Sequence, residues 1–362
     1  MEKKLNILMS GGGSGGHVFP AIAIADAIKK EHSNAEFLFI GANGKIEMTA
    51  VPKAGYKIVG LNIAGFQRKL TLKNLLFPFK LLFSIIKAWF VVKRFKPNAA
   101  IGTGGYASGA ALKVAQWQGV PTFVQEQNAF PGITNKLLAK DVKYVFAAYP
   151  GLEKYFGKDK IIISGNPLRG SINISNVNKA EAVKHFGLNE NKPVVFITGG
   201  SLGASAINKA IAHHIEMIKE QDVQLIWQCG KIYEETYTKF NSESIKVLSF
   251  IDRMDYAYAA ADVIISRAGG TISELALVGK PVILLPSPNV AEDHQTKNGM
   301  ALVEKNAAIL IKDIDANEKL VPEVLKLLAD KNKQEELSKN IKLFAKPNAA
   351  KEIAQKVLAT IQ

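Results

Sequence analysis

A chain of 362 residues exceeds what one hydrophobic core usually fills, so two domains are expected. Hydrophobic residues make up 48% and charged residues 22%, an ordinary globular balance, and no run of ~18 apolar residues offers a bilayer span. Cys229 is the single cysteine, which excludes an internal disulfide and a cysteine-built metal cluster, and the net charge of +14 asks for an anionic partner.

The chain begins with Met1-Glu2-Lys3-Lys4 and the short apolar run Leu5 to Met9, too short for a secretory signal. That run reads as a strand. Ser-Gly-Gly-Gly-Ser-Gly-Gly-His follows over residues 10–17, and a helix over 21–30 is expected to bury Ile22, Ala25, Ile28 and Lys29. Glycines between a strand and a helix let the backbone approach a ligand and leave helical N–H groups to bind an anion. His17 at the helix mouth adds a titratable group. Gly11, Gly13 and Gly16 also satisfy the dinucleotide fingerprint, but the second strand, 36–40, ends in Gly41-Ala42-Asn43 with no acid to hold a ribose. A nicotinamide enzyme is therefore disfavoured.

From Met48 to Gln125 there is no Asp or Glu, while Lys and Arg recur throughout. Within this stretch Pro78 opens a helix over 78–95, with a shorter helix expected before it. Phe79, Leu82, Phe83, Ile86 and Phe90 form one stripe, Leu81, Ile85, Trp89 and Val92 another, and Lys80, Lys87 and Arg94 a third. Two apolar faces exceed what one sheet can cover. A membrane surface is the favoured partner, and nucleic acid is disfavoured because aliphatic residues dominate.

Further strands are expected at 99–102, 121–125, 143–147, 161–164, 193–198, 223–228, 245–248, 262–265, 281–285 and 308–311, with helices between most of them. This alternation is the mark of an α/β fold with parallel sheets, whose ligands sit at the carboxyl ends of strands. Every glycine-rich segment (11–16, 102–105, 199–203 and 268–270) falls at such an end. A turn-rich stretch at 164–169 suggests the boundary between a domain of 1–165 and one of 166–345. In the last segment Ile353, Val357, Leu358 and Ile361 share a helical face, so a helix within 346–362 can pack back on the first domain. His32, His185, His213 and His214 fall on expected helix surfaces.

Eight motifs occur in order: 11–21 (GGGSGGHVFPA), 104–109 (GGYASG), 125–132 (QEQNAFPG), 165–169 (GNPLR), 199–204 (GGSLGA), 250–254 (FIDRM), 266–274 (SRAGGTISE) and 293–298 (DHQTKN). Together they closely resemble the bacterial peptidoglycan N-acetylglucosaminyltransferases that make the second lipid-linked cell-wall precursor. The stretch 267–274 is one residue shorter than the usual family loop.

The resemblance implies an α/β fold of the GT-B type, two Rossmann-like domains with parallel sheets facing a cleft. It implies an inverting transfer of N-acetylglucosamine from UDP-N-acetylglucosamine to the C4 hydroxyl of undecaprenyl-diphosphate-linked N-acetylmuramoyl-pentapeptide. The expected place is the cytoplasmic face of the plasma membrane, where other cell-wall synthesis or division proteins are further candidate partners. Ser14, Gly15, Gly16, Asn128, Arg169, Ser201, Ile251, Glu274, Gln295 and Asn298 are the donor-binding residues it implies. Gly104, Gly105 and Tyr106 would meet the acceptor, whose diphosphate would prefer backbone N–H groups there and at 13–16. Lys73, Lys80, Leu81, Ile85, Lys87, Trp89 and Trp117 would make the membrane patch. An inverting transfer needs a base at the acceptor hydroxyl. His17, whose ordinary pKa suits neutral pH, is the first candidate and Glu126 the second. No cluster stands out as a metal site, so no cofactor is expected to be obligatory, though Mg²⁺ can assist. The alternatives are an epimerase-like UDP-sugar enzyme of the same fold and a non-catalytic, membrane-bound sensor of UDP-sugar.

Overall fold

The computed structural model describes residues 4–63, 77–168, 177–200 and 202–361. The short helix expected before Pro78, Lys73, Arg169 and Ser201 lie outside these residues. The chain divides into two compact units, Met1–Arg169 with Lys346–Gln362, and Gly170–Ala345.

The first unit is built on seven parallel strands: β1 (Leu5–Ser10), β2 (Ala35–Ala42), β3 (Lys57–Leu61), β4 (Ala99–Gly102), β5 (Thr122–Glu126), β6 (Tyr144–Ala147) and β7 (Ile161–Ile163). Their order is β3-β2-β1-β4-β5-β6-β7. Strand β3 was not expected. Lys57 and Gly60 dilute its apolar run, and it pairs only with β2 at the edge of the sheet, where a half-polar strand is tolerated. The order reverses between β1 and β4, so the loops following them open at the switch point of the sheet.

Helices cover both faces. On one lies α1 (Gly15–Glu31), which buries Val18, Ala21, Ile22, Ile24, Ala25 and Ile28. Lys29, expected inside, is exposed, because its long stem carries the ammonium to the Ala35 carbonyl at 3.4 Å rather than into the core. The helix Ala349–Ile361 packs beside α1, placing Ile353, Val357 and Leu358 in the same apolar cluster as Ile7, Met9 and Phe123. Next come α2 (Glu47–Lys53), α3 (Phe77–Phe95), α4 (Tyr106–Trp117) and α5 (Ile133–Leu138). Helices α3 and α4 pack together on the other face, around Ala88, Val92, Ala111, Leu112 and Val124. His32 is buried just past the end of α1, against expectation, since the chain turns inward there to start β2.

The second unit carries six parallel strands: β8 (Val194–Thr198), β9 (Gln224–Gln228), β10 (Ile245–Leu248), β11 (Val263–Ser266), β12 (Val282–Leu284) and β13 (Ile309–Leu310). Their order, β10-β9-β8-β11-β12-β13, reverses between β8 and β11. The core holds Trp227, whose indole N–H donates to Asn208 Oδ1 at 2.9 Å. Two units, each with a doubly wound parallel sheet, form the GT-B fold expected from the sequence.

Candidate active site

The loop after β1 is held against the loop after β4. Gly12 N–H donates to the Gly104 carbonyl at 3.3 Å, and the Thr103 hydroxyl to the His17 carbonyl at 2.7 Å. Gly105 sits at φ +90°, and a Cβ there would collide with the Gly12 carbonyl, so only glycine lets the two loops lie this close. His17 lies over Gly104, where a Cβ would come within 3.0 Å of its Nε2.

His17 Nδ1 is 3.1 Å from the Gly12 carbonyl. A carbonyl only accepts, so this contact is a hydrogen bond when Nδ1 carries the proton and the neutral ring keeps its lone pair on Nε2; Ser14 Oγ lies 3.4 Å from the same nitrogen. The Gly12 carbonyl thereby favours one tautomer of the half-buried imidazole at the mouth of α1.

Glu47, the first residue of α2, was missed by sequence reasoning. It is fully buried, and its carboxylate accepts from Gly13 N–H at 2.9 Å and from Ala42 N–H at 3.0 Å. It is the last acid before the acid-free stretch and lies five residues beyond β2, too far along to be read as a ribose ligand. With Gly13 N–H taken, the 12–13 part of the loop has no donor there for a diphosphate. The expectation of anion binding at Gly13 is therefore corrected. A cavity of about 160 Å³ opens beside it, lined by Gly12, Gly13, Ala42, Lys45, Glu47, Ile63, Tyr106 and Ala107.

Glu126 ends β5 and is buried. Four donors converge on its carboxylate: Asn128 N–H at 3.0 Å, Asn128 Nδ2 at 3.2 Å, Gly132 N–H at 3.1 Å and Asn135 Nδ2 at 2.8 Å. It shapes the turn from 127 to 135. Gln127 Nε2 donates to the Thr103 carbonyl at 2.7 Å and ties this turn to the β4 loop. Gly104, Gly105 and Tyr106 stand at the start of α4, with the Tyr106 side chain 54% exposed.

In the second unit side-chain hydrogen bonds hold the loops after β8, β10, β11 and β12 at the carboxyl edge. Gln228 Nε2 donates to the Gly200 carbonyl at 3.1 Å, and its Oε1 accepts from Ile251 N–H at 3.1 Å. Glu274 lies on the helix Thr271–Val278 and accepts from the phenol of Tyr258 at 2.9 Å. That phenol is pushed well above its ordinary pKa by burial and by the neighbouring carboxylate. Gln295 and Asn298 share the helix His294–Val303. Gln295 Oε1 accepts from Ser287 N–H at 2.8 Å, and Asn298 Nδ2 donates to the Ala268 carbonyl at 3.2 Å. Asn298 is buried and fastens the 268 loop.

Helix α3 divides the expected membrane residues. Ala88, Ser84 and Val92 are buried and Leu81 and Ile85 pack partly against the core, which corrects the placing of Leu81 and Ile85 in an exposed patch. The exposed row is instead Phe79, Leu82, Phe83, Ile86 and Phe90, with Trp89 and Trp117 also exposed. Lys80 is exposed, whereas Lys87 Nζ donates to the Gly60 carbonyl at 2.8 Å and leans toward β3. No helix among the described residues is long and apolar enough to cross a membrane.

Residues 7–147 match the N-terminal domain of glycosyltransferase family 28 and residues 194–353 its C-terminal domain. The chain is 53% identical to the UDP-N-acetylglucosamine--N-acetylmuramyl-(pentapeptide) pyrophosphoryl-undecaprenol N-acetylglucosamine transferase of Flavobacterium psychrophilum, covering 99% of each chain. A crystal structure of Acinetobacter baumannii MurG is 26% identical, with a TM-score of 0.79 over 99% of this chain and 100% of that one. The structure of a putative UDP-N-acetylglucosamine 2-epimerase from Listeria monocytogenes, at 16% identity and a TM-score of 0.72 over 99% of this chain and 97% of that one, shares the fold alone. With both family domains matched in order, and a relative identical at half its positions over its whole length, the chain belongs to glycosyltransferase family 28.

Proposed function

We propose that this protein transfers N-acetylglucosamine from UDP-N-acetylglucosamine to the C4 hydroxyl of muramoyl-pentapeptide carried on undecaprenyl diphosphate, inverting the anomeric centre. The carrying observation is the imidazole of His17, whose Nδ1 faces the Gly12 carbonyl at 3.1 Å at the switch point of the first sheet. Nε2 takes the proton of the C4 hydroxyl as that oxygen attacks the anomeric carbon, and UDP leaves from the opposite face. Glu126 is the weaker candidate for the base, since four N–H groups already occupy its oxygens. It supports Asn128 instead.

In this reading the second unit binds the donor. Glu274 accepts from the ribose hydroxyls, the backbone at Ile251 meets the uracil, and Gln295 and Asn298 recognise the sugar. Arg169 and Ser201 balance the diphosphate charge, which develops as the bond to C1 breaks. The first unit binds the acceptor through Gly104, Gly105 and Tyr106, with its diphosphate at the start of α4 and at 14–16. Ser14, Gly15 and Gly16 complete the loop that carries His17. The exposed row of α3, with Lys80, Trp89 and Trp117, rests on the anionic cytoplasmic face of the membrane and keeps the polyprenyl tail in the bilayer. Mg²⁺ can assist at the diphosphate without a protein-built site.

The test is transfer of radiolabelled N-acetylglucosamine to a polyprenyl-diphosphate muramoyl-pentapeptide, read as a lipid-extractable disaccharide. Conversion of the UDP-sugar to its C2 epimer, with no label entering lipid, would establish the epimerase alternative instead.

A further inference from the structure

We infer that Glu47 is a positioning residue for His17, acting through the Gly12–Gly13 peptide; this rests on the reading of His17 as the base. Four observations converge. The Glu47 side chain is fully buried. Its two oxygens are divided between the N–H groups of Gly13 and Ala42, so one carboxylate clamps the glycine loop to the end of β2. A Cβ on Gly12 would collide with this carboxylate, and one on Gly41 would lie 2.6 Å from Glu47 Cγ, so two glycines make room for the side chain. The carbonyl of Gly12, on the clamped peptide, meets His17 Nδ1 at 3.1 Å.

The Gly12 carbonyl and the Gly13 N–H belong to one planar peptide group, so fixing the N–H fixes the direction of the carbonyl. Glu47 pulls the N–H inward, and the carbonyl on the other edge is left facing the imidazole. The acid therefore sets which ring nitrogen holds the proton without touching the ring. Its charge also keeps a diphosphate away from the first half of the loop. The acceptor's anionic group is thereby directed to 14–16 and the start of α4.

The experiment compares the full-length protein with Glu47→Gln and Glu47→Asp, using ¹⁵N-histidine spectra above the His17 pKa together with steady-state kinetics. Glu47→Gln offers one acceptor oxygen for two donors. His17 is expected to be protonated at Nδ1 in the unaltered protein and to become a mixture of tautomers in Glu47→Gln. The kcat is expected to fall about ten- to a hundredfold while the KM for UDP-N-acetylglucosamine changes less than about twofold. Glu47→Asp keeps the charge on a shorter stem and is expected to fall in between, which covers a failure of Glu47→Gln to fold. In a His17→Ala background, Glu47→Gln should cost no further activity. An unchanged tautomer in both variants, or an equal loss in the His17→Ala background, would overturn the inference. Full turnover by His17→Ala alone would overturn the base assignment, and the spectra would still decide whether Glu47 orients the ring.

Discussion

The phenol of Tyr258 is buried beneath the carboxylate of Glu274 and donates to it at 2.9 Å. The two residues stand on consecutive helices, Met254–Ala260 and Thr271–Val278, so this one bond fixes the height of Glu274 at the carboxyl edge of the second sheet. Glu274→Ala is expected to weaken UDP binding several-fold and, by orphaning a buried hydroxyl, to cost about 1–3 kcal/mol of stability. Isothermal titration and chemical denaturation check the two effects separately. Tyr258→Phe should weaken UDP binding less than Glu274→Ala does. An unchanged affinity in Glu274→Ala would refute the ribose assignment.

His17→Ala is expected to bind UDP-N-acetylglucosamine as tightly as the unaltered protein and to lose roughly 10²–10⁴ in kcat, the usual weight of a positioned base. Single-turnover measurement with saturating donor separates chemistry from binding. Equal turnover in the two proteins would remove the imidazole from the reaction.

The outer row of α3 is tested by Phe79→Ser, Phe83→Ser and Phe90→Ser combined. These side chains are 61%, 67% and 66% exposed, so the melting temperature is expected to hold. Retention on vesicles containing phosphatidylglycerol should drop at least about tenfold, since each aromatic side chain inserts apolar area into the interface. Binding by the unaltered protein should weaken as salt rises. Equal sedimentation with vesicles by both proteins would contradict the membrane reading of this face.

Lys280 has its pKa held below the ordinary lysine value, first by burial and then by the ammonium groups of Lys179 and Lys342, against the pull of Asp262. The sign follows from the direction. The unfolded chain binds the proton more tightly, so the cost is fully present below the folded pKa and disappears as pH rises toward ~10.5. Lys280→Met is expected to raise the melting temperature at pH 7 by a few degrees, with the advantage shrinking as pH approaches 10. A constant difference between pH 7 and pH 10 would exclude desolvation as the cause.

Strand and helix alternation was legible in the sequence because parallel strands buried on both faces are nearly continuous apolar runs, as in 194–198 and 263–266. The edge strand β3 escaped because burial does not demand an apolar residue at every position there. The glycine loops were legible because a tight turn restricts the residue type at each place. Glu47 was not, because nothing local marks an acid whose partners are backbone N–H groups on two other segments. The two apolar faces of α3 were legible, but not which one faces outward. That choice is made by Ala88 and Ser84, whose small side chains let α4 approach. Asn298 illustrates another limit. Its spacing from Gln295 was read as a pair of sugar ligands, whereas its amide also fastens the carbonyl of Ala268.

The apolar flank of α1 is completed by the helix Ala349–Ile361, and the whole of 170–345 is strung between them. During synthesis the second unit therefore emerges entire while the first still lacks a piece of its core. Removing 349–361 would strip Ile353, Ala354, Val357 and Leu358 from the apolar cluster that α1 shares and spare the later-made unit, an outcome that position along the chain alone would not suggest.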